Sequence, residues 1–160
     1  MLNIIIVCVG KLKEPFLREA FEEYRKRLST LCKLSVIELS PEKLSDSPSQ
    51  KEIDSALTAE GKRILEKIPK GSAIYTMCIE GKQLSSTEFS EKISSLAVSG
   101  FSSIAFVIGG SYGLSDEVKA KSSFKMSVSK MTFPHQLFRV MLMEQIYRAL
   151  QIELGTKYHK

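Results

Sequence analysis

The sequence predicts an α/β fold in which a parallel sheet is flanked by helices on both faces. Short apolar runs, typical of buried strands, alternate with longer segments whose apolar residues recur at helical spacing. Glycine, proline and small polar residues separate these segments. The 160 residues contain no internal repeat and no linker, and this length is typical of one domain. Residues 1–160 are therefore predicted to form a single domain.

The first half of the chain is predicted to form two strands and two helices. The apolar run at the N-terminus lacks a preceding basic region, so it is a first strand and not a signal peptide. Between the second strand and the second helix, residues 40–50 are polar and contain two prolines. We expect a surface loop there, with a mobile lid as the alternative. The predicted strands are residues 2–9 and 34–39, and the predicted helices are residues 14–28 and 52–68.

The second half of the chain is predicted to form three strands and three helices. One helix begins at Ser86 or Thr87 and ends at Gly100, and Ser115 is the expected N-cap of a short helix. The most apolar strand runs directly into a glycine-rich turn at residues 109–113. The predicted strands are residues 72–79, 104–108 and 124–129.

The last helix, which follows Pro134, has apolar residues nearly all round. Proline is tolerated best in the first helical turn, so Thr132 or Phe133 is the predicted N-cap. A helix that buries only one face needs a narrower apolar stripe than this helix has. We therefore expect this helix to be covered on two sides. Glu144 and Arg148 have the spacing of an ion pair, which is either structural or functional. His135 and Pro134 lie in the first turn, where a packing or capping role for the histidine is favoured.

Composition and motifs argue against several classes of protein. No apolar run approaches the roughly 20 residues of a membrane span. The three cysteines lack metal-ligand spacing and are predicted to be buried and reduced, as is typical of a cytoplasmic protein. Two histidines are too few for a typical zinc site, so no metal is expected. The motifs of dinucleotide binding, of nucleotide hydrolysis and of a serine nucleophile are missing.

Three strand ends are the predicted ligand site. Ligands of parallel α/β sheets bind beyond the carboxyl ends of the strands. Residues 77–82, 109–114 and 128–133 lie at such ends. The glycines of the second segment allow the backbone to approach a ligand closely. A net charge of +5 is compatible with a polyanionic partner.

Several segments resemble the SPOUT class of methyltransferases, in particular the bacterial family that methylates large-subunit ribosomal RNA. The similarity covers the whole chain and is most specific in its C-terminal third. Arg139 and residues 144–149 (EQIYRA) contribute to it. The other segments are residues 106–114 (FVIGGSYGL), residues 129–136 (SKMTFPHQ), and the terminal Tyr158, His159 and Lys160.

The resemblance implies a fold, a reaction and an assembly. The C-terminal part of the domain would be threaded into a deep trefoil knot, and the protein would act as a homodimer in the cytoplasm. It would transfer a methyl group from S-adenosylmethionine to N3 of a pseudouridine in 23S rRNA, on the assembled ribosome. A second copy would then explain the apolar last helix.

The resemblance also implies the site residues. Among candidate catalytic residues, His159 would accept the N3 proton, Arg139 or Arg148 would stabilise the developing negative charge, and Tyr158 would stack on or hydrogen-bond the base. The methyl donor would lie against residues that coincide with the three strand ends: Met77, Gly109, Val128, Ser129, Lys130, Met131, Thr132 and Phe133.

The sequence leaves three other functions as alternatives. One is a SPOUT enzyme acting on tRNA, such as a ribose 2′-O-methyltransferase, and another is a non-catalytic ribosome-binding factor. A nicotinamide-dependent enzyme is the third, and the lack of glycines in the first turn argues against it.

Overall fold

The computed structural model describes residues 1–160, which form five strands and five helices in strict alternation. This order confirms the predicted alternation of strands and helices. The strands are β1 (Asn3–Val9), β2 (Lys33–Leu39), β3 (Ala73–Lys82), β4 (Ser103–Ile108) and β5 (Phe124–Met126). The helices are α1 (Pro15–Leu28), α2 (Gln50–Lys67), α3 (Ser86–Val98), α4 (Asp116–Ala120) and α5 (His135–Glu153).

The five strands form one sheet in the order β2-β1-β4-β3-β5, and every neighbouring pair is parallel. Side chains alternate between the two faces along each strand, so each face builds its own core. In β1, Ile4 and Ile6 face a core that α1, α3 and α5 cover. Ile5 and Val7 face a smaller core that α2 and α4 cover. The predicted α/β sheet with helices on both faces is confirmed.

Serine side chains begin three of the helices. The side chains of Ser49 and Ser85 each accept a hydrogen bond from the backbone N–H of the glutamate three residues later. The carboxylate of that glutamate in turn accepts a hydrogen bond from the backbone N–H of the serine. Ser115 caps α4 as predicted. The predicted cap of α5 is wrong, because Pro134 itself is the N-cap and its carbonyl accepts from the N–H of Phe138. Thr132 lies too early in the chain to cap this helix.

The strand β5 is shorter than the sequence predicts. It ends at Met126 instead of residue 129, since it is an edge strand and its single partner β3 bulges between Met77 and Lys82. Gly81 lies in this bulge, where a Cβ atom would come 2.7 Å from the Met126 nitrogen. Only a glycine permits the two backbones to approach this closely.

The polar loop before α2 is tied to the helix that follows it. Arg63 donates to the Ser40 carbonyl at 2.8 Å and pairs with Glu42 at 3.1 Å. The buried Glu60 accepts from the backbone N–H of Glu42 at 3.0 Å. These contacts favour the ordinary surface loop over a lid.

The helix α5 crosses back over the sheet after β5. Its neighbours are α1 and α3, and Arg139 at its second turn contacts residues at the carboxyl ends of β1 and β2. The segment 127–134 therefore runs from the edge strand β5 toward the opposite side of the sheet. The trefoil knot that the resemblance implies remains a prediction about this crossing.

The three cysteines, Cys8, Cys32 and Cys78, are free and buried, as predicted. Burial raises the pKa of the Cys8 thiol to about 12 and that of Cys32 to about 11, which keeps both protonated at neutral pH. None of the helices combines the length and the apolar character that crossing a membrane requires.

Candidate active site

The sheet places the three predicted strand ends at the same edge. Met77 of β3 lies opposite Met126 of β5, and Thr76 lies opposite Val107 of β4. Gly109 directly follows the end of β4, and Val128 lies two residues after the end of β5. Both therefore lie near Met77 at the carboxyl edge. The structure thus places Met77, Gly109 and Val128, three of the residues that the resemblance implies for donor binding, at one edge of the sheet.

The turn after β4 is tightly closed. The N–H of Gly113 donates to the Gly110 carbonyl at 3.1 Å, and Gly113 has a φ of +83°. A Cβ atom on Gly109 would lie 2.6 Å from the carbonyl carbon of Gly113. Glycine is therefore required at both ends of the turn, and its backbone is free of side-chain bulk where a ligand would approach.

The segment 127–134, between β5 and α5, has no regular secondary structure. Short hydrogen bonds within the segment shape it: Ser127 Oγ donates to the Ser129 carbonyl at 3.0 Å, and the Met131 N–H donates to Ser129 Oγ at 3.0 Å. Backbone groups in such a segment remain available to an external ligand. The exposed members of the segment are Val128, Lys130, Met131, Thr132 and Pro134.

A cleft of about 440 Å³ adjoins this segment, and we call it the α3–α5 cleft. It lies between the end of β5, the start of α3 and the middle of α5. Its lining combines apolar side chains with a few polar groups, as is typical of small-molecule sites. The lining residues are Leu84, Ser85, Ser86, Phe89, Met126, Ser127, Val128, Met141, Leu142, Glu144 and Gln145.

Glu144 joins the cleft to the C-terminal tail. Its Oε1 accepts from Arg148 Nε at 3.0 Å and Nη2 at 2.7 Å, and from the Tyr158 hydroxyl at 3.3 Å. The Arg148 guanidinium also lies 4.8 Å from the centre of the Tyr158 ring. Tyr158 packs edge-to-face on Tyr147 with ring centroids 4.8 Å apart. Three of the four predicted catalytic residues, Arg148, Tyr158 and His159, therefore form one cluster.

The protonation of this cluster follows from its contacts. Burial, with contributions from Tyr24 and Glu144, raises the pKa of Tyr158 to about 12, so its hydroxyl donates to Glu144 throughout the neutral range. Arg148 Nη1 lies 3.4 Å from His159 Nδ1. Since a guanidinium only donates, this contact is a hydrogen bond only in the tautomer in which Nδ1 accepts and the ring proton lies on Nε2. In that tautomer the lone pair of His159 is engaged by Arg148.

Arg139, the fourth predicted catalytic residue, lies apart from this cluster. Its side chain is 2% exposed, and it donates to Glu38 at 2.6 Å and to the Gly10 carbonyl at 3.0 Å. The Nε of Arg139 is buried without a hydrogen-bond partner. These contacts place Arg139 at the junction of β1, β2 and α5, where it positions the helix and does not face the cleft.

His135 takes the packing role that its sequence position favours. It lines a separate surface depression with Phe16 and Leu137. Burial and the neighbouring charges of Arg139 and Lys13 lower the pKa of His135, so the ring is neutral at pH 7.

Two contacts of these clusters were not predicted from the sequence. Glu38 lies in a strand and belongs to no recognisable motif. It is 101 positions from Arg139 in the chain, so only the fold brings the two side chains together. Glu144 was recognised as the partner of Arg148, but its contact with Tyr158 depends on how the tail folds back. The spacing of four residues between Glu144 and Arg148 was the only feature of the sequence that pointed to Glu144.

Comparisons with known proteins agree with this arrangement. A family model described as "Predicted SPOUT methyltransferase" matches residues 2–159. The chain also matches a solved structure of a probable methylase family protein from Haemophilus influenzae, with a TM-score of 0.53 and 14% identity, over 99% of this chain and 70% of that chain. The second comparison supports the fold alone. The chain belongs to the SPOUT methyltransferase family.

Within that family, three curated relatives carry the name "Ribosomal RNA large subunit methyltransferase H". The relative from Clostridium acetobutylicum is 53% identical over 159 residues, and the one from Clostridioides difficile is 50% identical over the same length. A relative from Clostridium botulinum is 51% identical. Each alignment covers 99% of this chain and the full length of the relative.

We predict that Arg139→Met destabilises the fold by about 2 kcal/mol, because Glu38 and the Gly10 carbonyl lose their buried partner. Urea unfolding provides the measurement. The control is Arg25→Met, whose exposed pair with Glu22 at 3.4 Å contributes little. The double variant Arg139→Met with Glu38→Gln should recover part of the loss. Unchanged stability in the single variant would contradict a positioning role.

We predict that Glu144→Gln loosens the tail, because the amide cannot replace the charged contacts with Arg148 and Tyr158. A loss of about 1 kcal/mol corresponds to a roughly fivefold increase in the open fraction. Trypsin cleavage after Lys157 at pH 8 measures this opening. Glu153→Gln, at the exposed end of α5, is the matched control. Equal cleavage rates for the two variants would show that Glu144 does not hold the tail.

Proposed function

We propose that this protein transfers a methyl group from S-adenosylmethionine to N3 of a pseudouridine in the 23S rRNA of the assembled ribosome. Membership of the SPOUT family supports methyl transfer, and the name of its full-length relatives supports the rRNA substrate. The observation that carries the proposal is the gathering of the three loop segments at one sheet edge, with Glu144 linking the cleft beside Ser127 and Val128 to Arg148 and Tyr158. A cytoplasmic location follows, because ribosomes are the substrate.

The residues at the carboxyl edge fit the methyl donor. The turn at Gly109 leaves no space for a side chain, and residues 128–133 present backbone N–H and C=O groups suited to adenine and ribose. Met77 would contribute an apolar contact beside them. When bound, S-adenosylmethionine supplies an electrophilic methyl group, so the protein's own task is orientation and proton removal. The group needs no metal, and no set of three or more metal-ligating side chains is assembled in the structure.

The tail cluster supplies the groups that N3 of a uracil-type base requires. Its N3–H is a weak acid, so methylation is assisted by a group that removes the proton and by a cation that stabilises the anion. His159 takes the first role once Arg148 releases its Nδ1, and Arg148 takes the second. Tyr158, whose hydroxyl stays protonated, orients or stacks on the base. Arg139 acts indirectly by fixing α5.

The surface at the start of α1 and α5 supports a homodimer. Phe16 is 64% exposed and Leu137 is 37% exposed, and both line a depression of about 320 Å³. Such an apolar surface is typical of a protein–protein interface. We propose that a second copy covers it, which also agrees with the expected covering of α5 on two sides.

Removal of residues 158–160 is predicted to abolish methylation of assembled ribosomes. Binding of S-adenosylmethionine, measured by calorimetry, should change little, because the tail lies outside the predicted donor-binding residues. The methylated position is identified by mass spectrometry of the rRNA. Transfer to tRNA instead, or undiminished turnover in the truncated protein, would contradict the proposal. Absence of donor binding in the intact protein would indicate a non-catalytic ribosome-binding factor.

Phe16→Glu is predicted to shift the protein from dimer toward monomer in sedimentation equilibrium, because a charge would be buried in the proposed interface. Val98→Glu is the matched control, since Val98 is a 90% exposed apolar residue at the far end of α3. A wild-type protein that sediments as a monomer would contradict the homodimer.

A further inference from the structure

The turn after β4 presents an aromatic side chain that the proposed mechanism does not use. Tyr112 is 50% exposed. The turn that contains it is closed by the hydrogen bond between Gly113 and Gly110, so its backbone is fixed. An exposed tyrosine on a rigid turn has little conformational freedom to lose when it packs against a flat partner.

A basic residue lies on the β1 side of the edge that contains Tyr112. Gly110 adjoins Val9, because a Cβ atom on Gly110 would lie 3.5 Å from Val9 Cγ1. The segment that follows β1 contains the exposed Lys11, and β1 is the hydrogen-bonded neighbour of β4. Lys11 therefore lies at the same sheet edge as Tyr112, whereas Lys13 is turned toward Gln136 at the start of α5.

Exposed apolar residues lie on the β3 side of the same edge. Ile79 in the bulge of β3 and Met131 in the segment before α5 are both largely exposed. The acidic pair Asp116 and Glu117 begins α4, which packs on the α2 side of the sheet. The edge thus combines an aromatic ring and apolar side chains with one cation, Lys11, on the β1 side.

We propose that Tyr112 stacks on an unpaired nucleobase of the rRNA while Lys11 contacts the adjoining phosphate. Proteins bind single-stranded RNA by this combination, since every base offers a flat face and every nucleotide a negative charge. The proposal rests on the proposed function and names a substrate contact that is separate from the methyl donor. Tyr112 is a binding residue for RNA, and it does not touch the reacting atoms.

The test compares Tyr112→Ala, Tyr112→Phe and the matched control Val98→Ala in equilibrium binding to assembled ribosomes. Tyr112→Ala should weaken binding about tenfold, because loss of one stacked base has an effect of this order. Tyr112→Phe should bind like the wild type, since stacking needs the ring and not the hydroxyl. Val98→Ala should also bind like the wild type, because Val98 is exposed at the opposite edge of the sheet.

Three further measurements distinguish a role of Tyr112 in RNA binding from a role in donor binding or in the dimer interface. The KM for ribosomes should rise in Tyr112→Ala with kcat and the affinity for S-adenosylmethionine unchanged. Lys11→Gln should reduce the slope of log affinity against log salt by about 1. The sedimentation of Tyr112→Ala should match that of the wild type.

Several outcomes would overturn the inference. Wild-type ribosome binding by Tyr112→Ala would exclude the stacking contact. Weaker binding of S-adenosylmethionine would instead place Tyr112 in the donor site, and dissociation into monomers would place it in a protein interface. Failure of the proposed function is distinguishable, because ribosomes would then bind to the wild type without receiving a methyl group.

Discussion

The buried guanidinium of Arg139 is the interaction on which the placement of α5 depends. It joins the helix to Glu38 at the end of β2 and to the Gly10 carbonyl just after β1. A charge this deeply buried is stable only with such partners, so the chain has to return from the edge strand β5 to reach them. This return draws residues 127–134 along the carboxyl edge of the sheet. The same segment contains most of the proposed donor-binding residues, so the helix anchor also arranges the site.

Farther along α5, Glu144 connects two parts of the proposed site. One carboxylate lines the α3–α5 cleft and also holds Arg148 and Tyr158, so the tail rests against its own helix. In this arrangement His159 Nδ1 faces Arg148. In the proposed function, release of the tail from Arg148 would couple proton removal to the arrival of the substrate.

Two separate surfaces of the protein contain clusters of exposed apolar residues. Phe16 and Leu137 lie together where α1 and α5 begin, whereas Ile79, Tyr112 and Met131 follow the carboxyl ends of the strands. Lys13 lies beside the first group, because its backbone N–H donates to Gln136, whereas Lys11 follows β1 at the edge that contains the second group. The first surface forms an apolar depression that suits a second copy of the chain, and the second combines an aromatic ring with Lys11, which suits RNA. The two proposed partners therefore occupy different parts of the molecule.

The sequence by itself determined the elements and the edge of the sheet at which we propose that a ligand binds. Apolar periodicity and the serine caps are local signals, and parallel strands necessarily gather their carboxyl ends. The sequence could not determine where β5 ends, that Pro134 caps α5, or that Arg139 is buried with Glu38 while Arg148 meets the tail. These features depend on contacts between residues distant in the chain, and such contacts form only when the strand order and the path of α5 are set. Tertiary structure therefore separated two arginines that had appeared equivalent in the sequence.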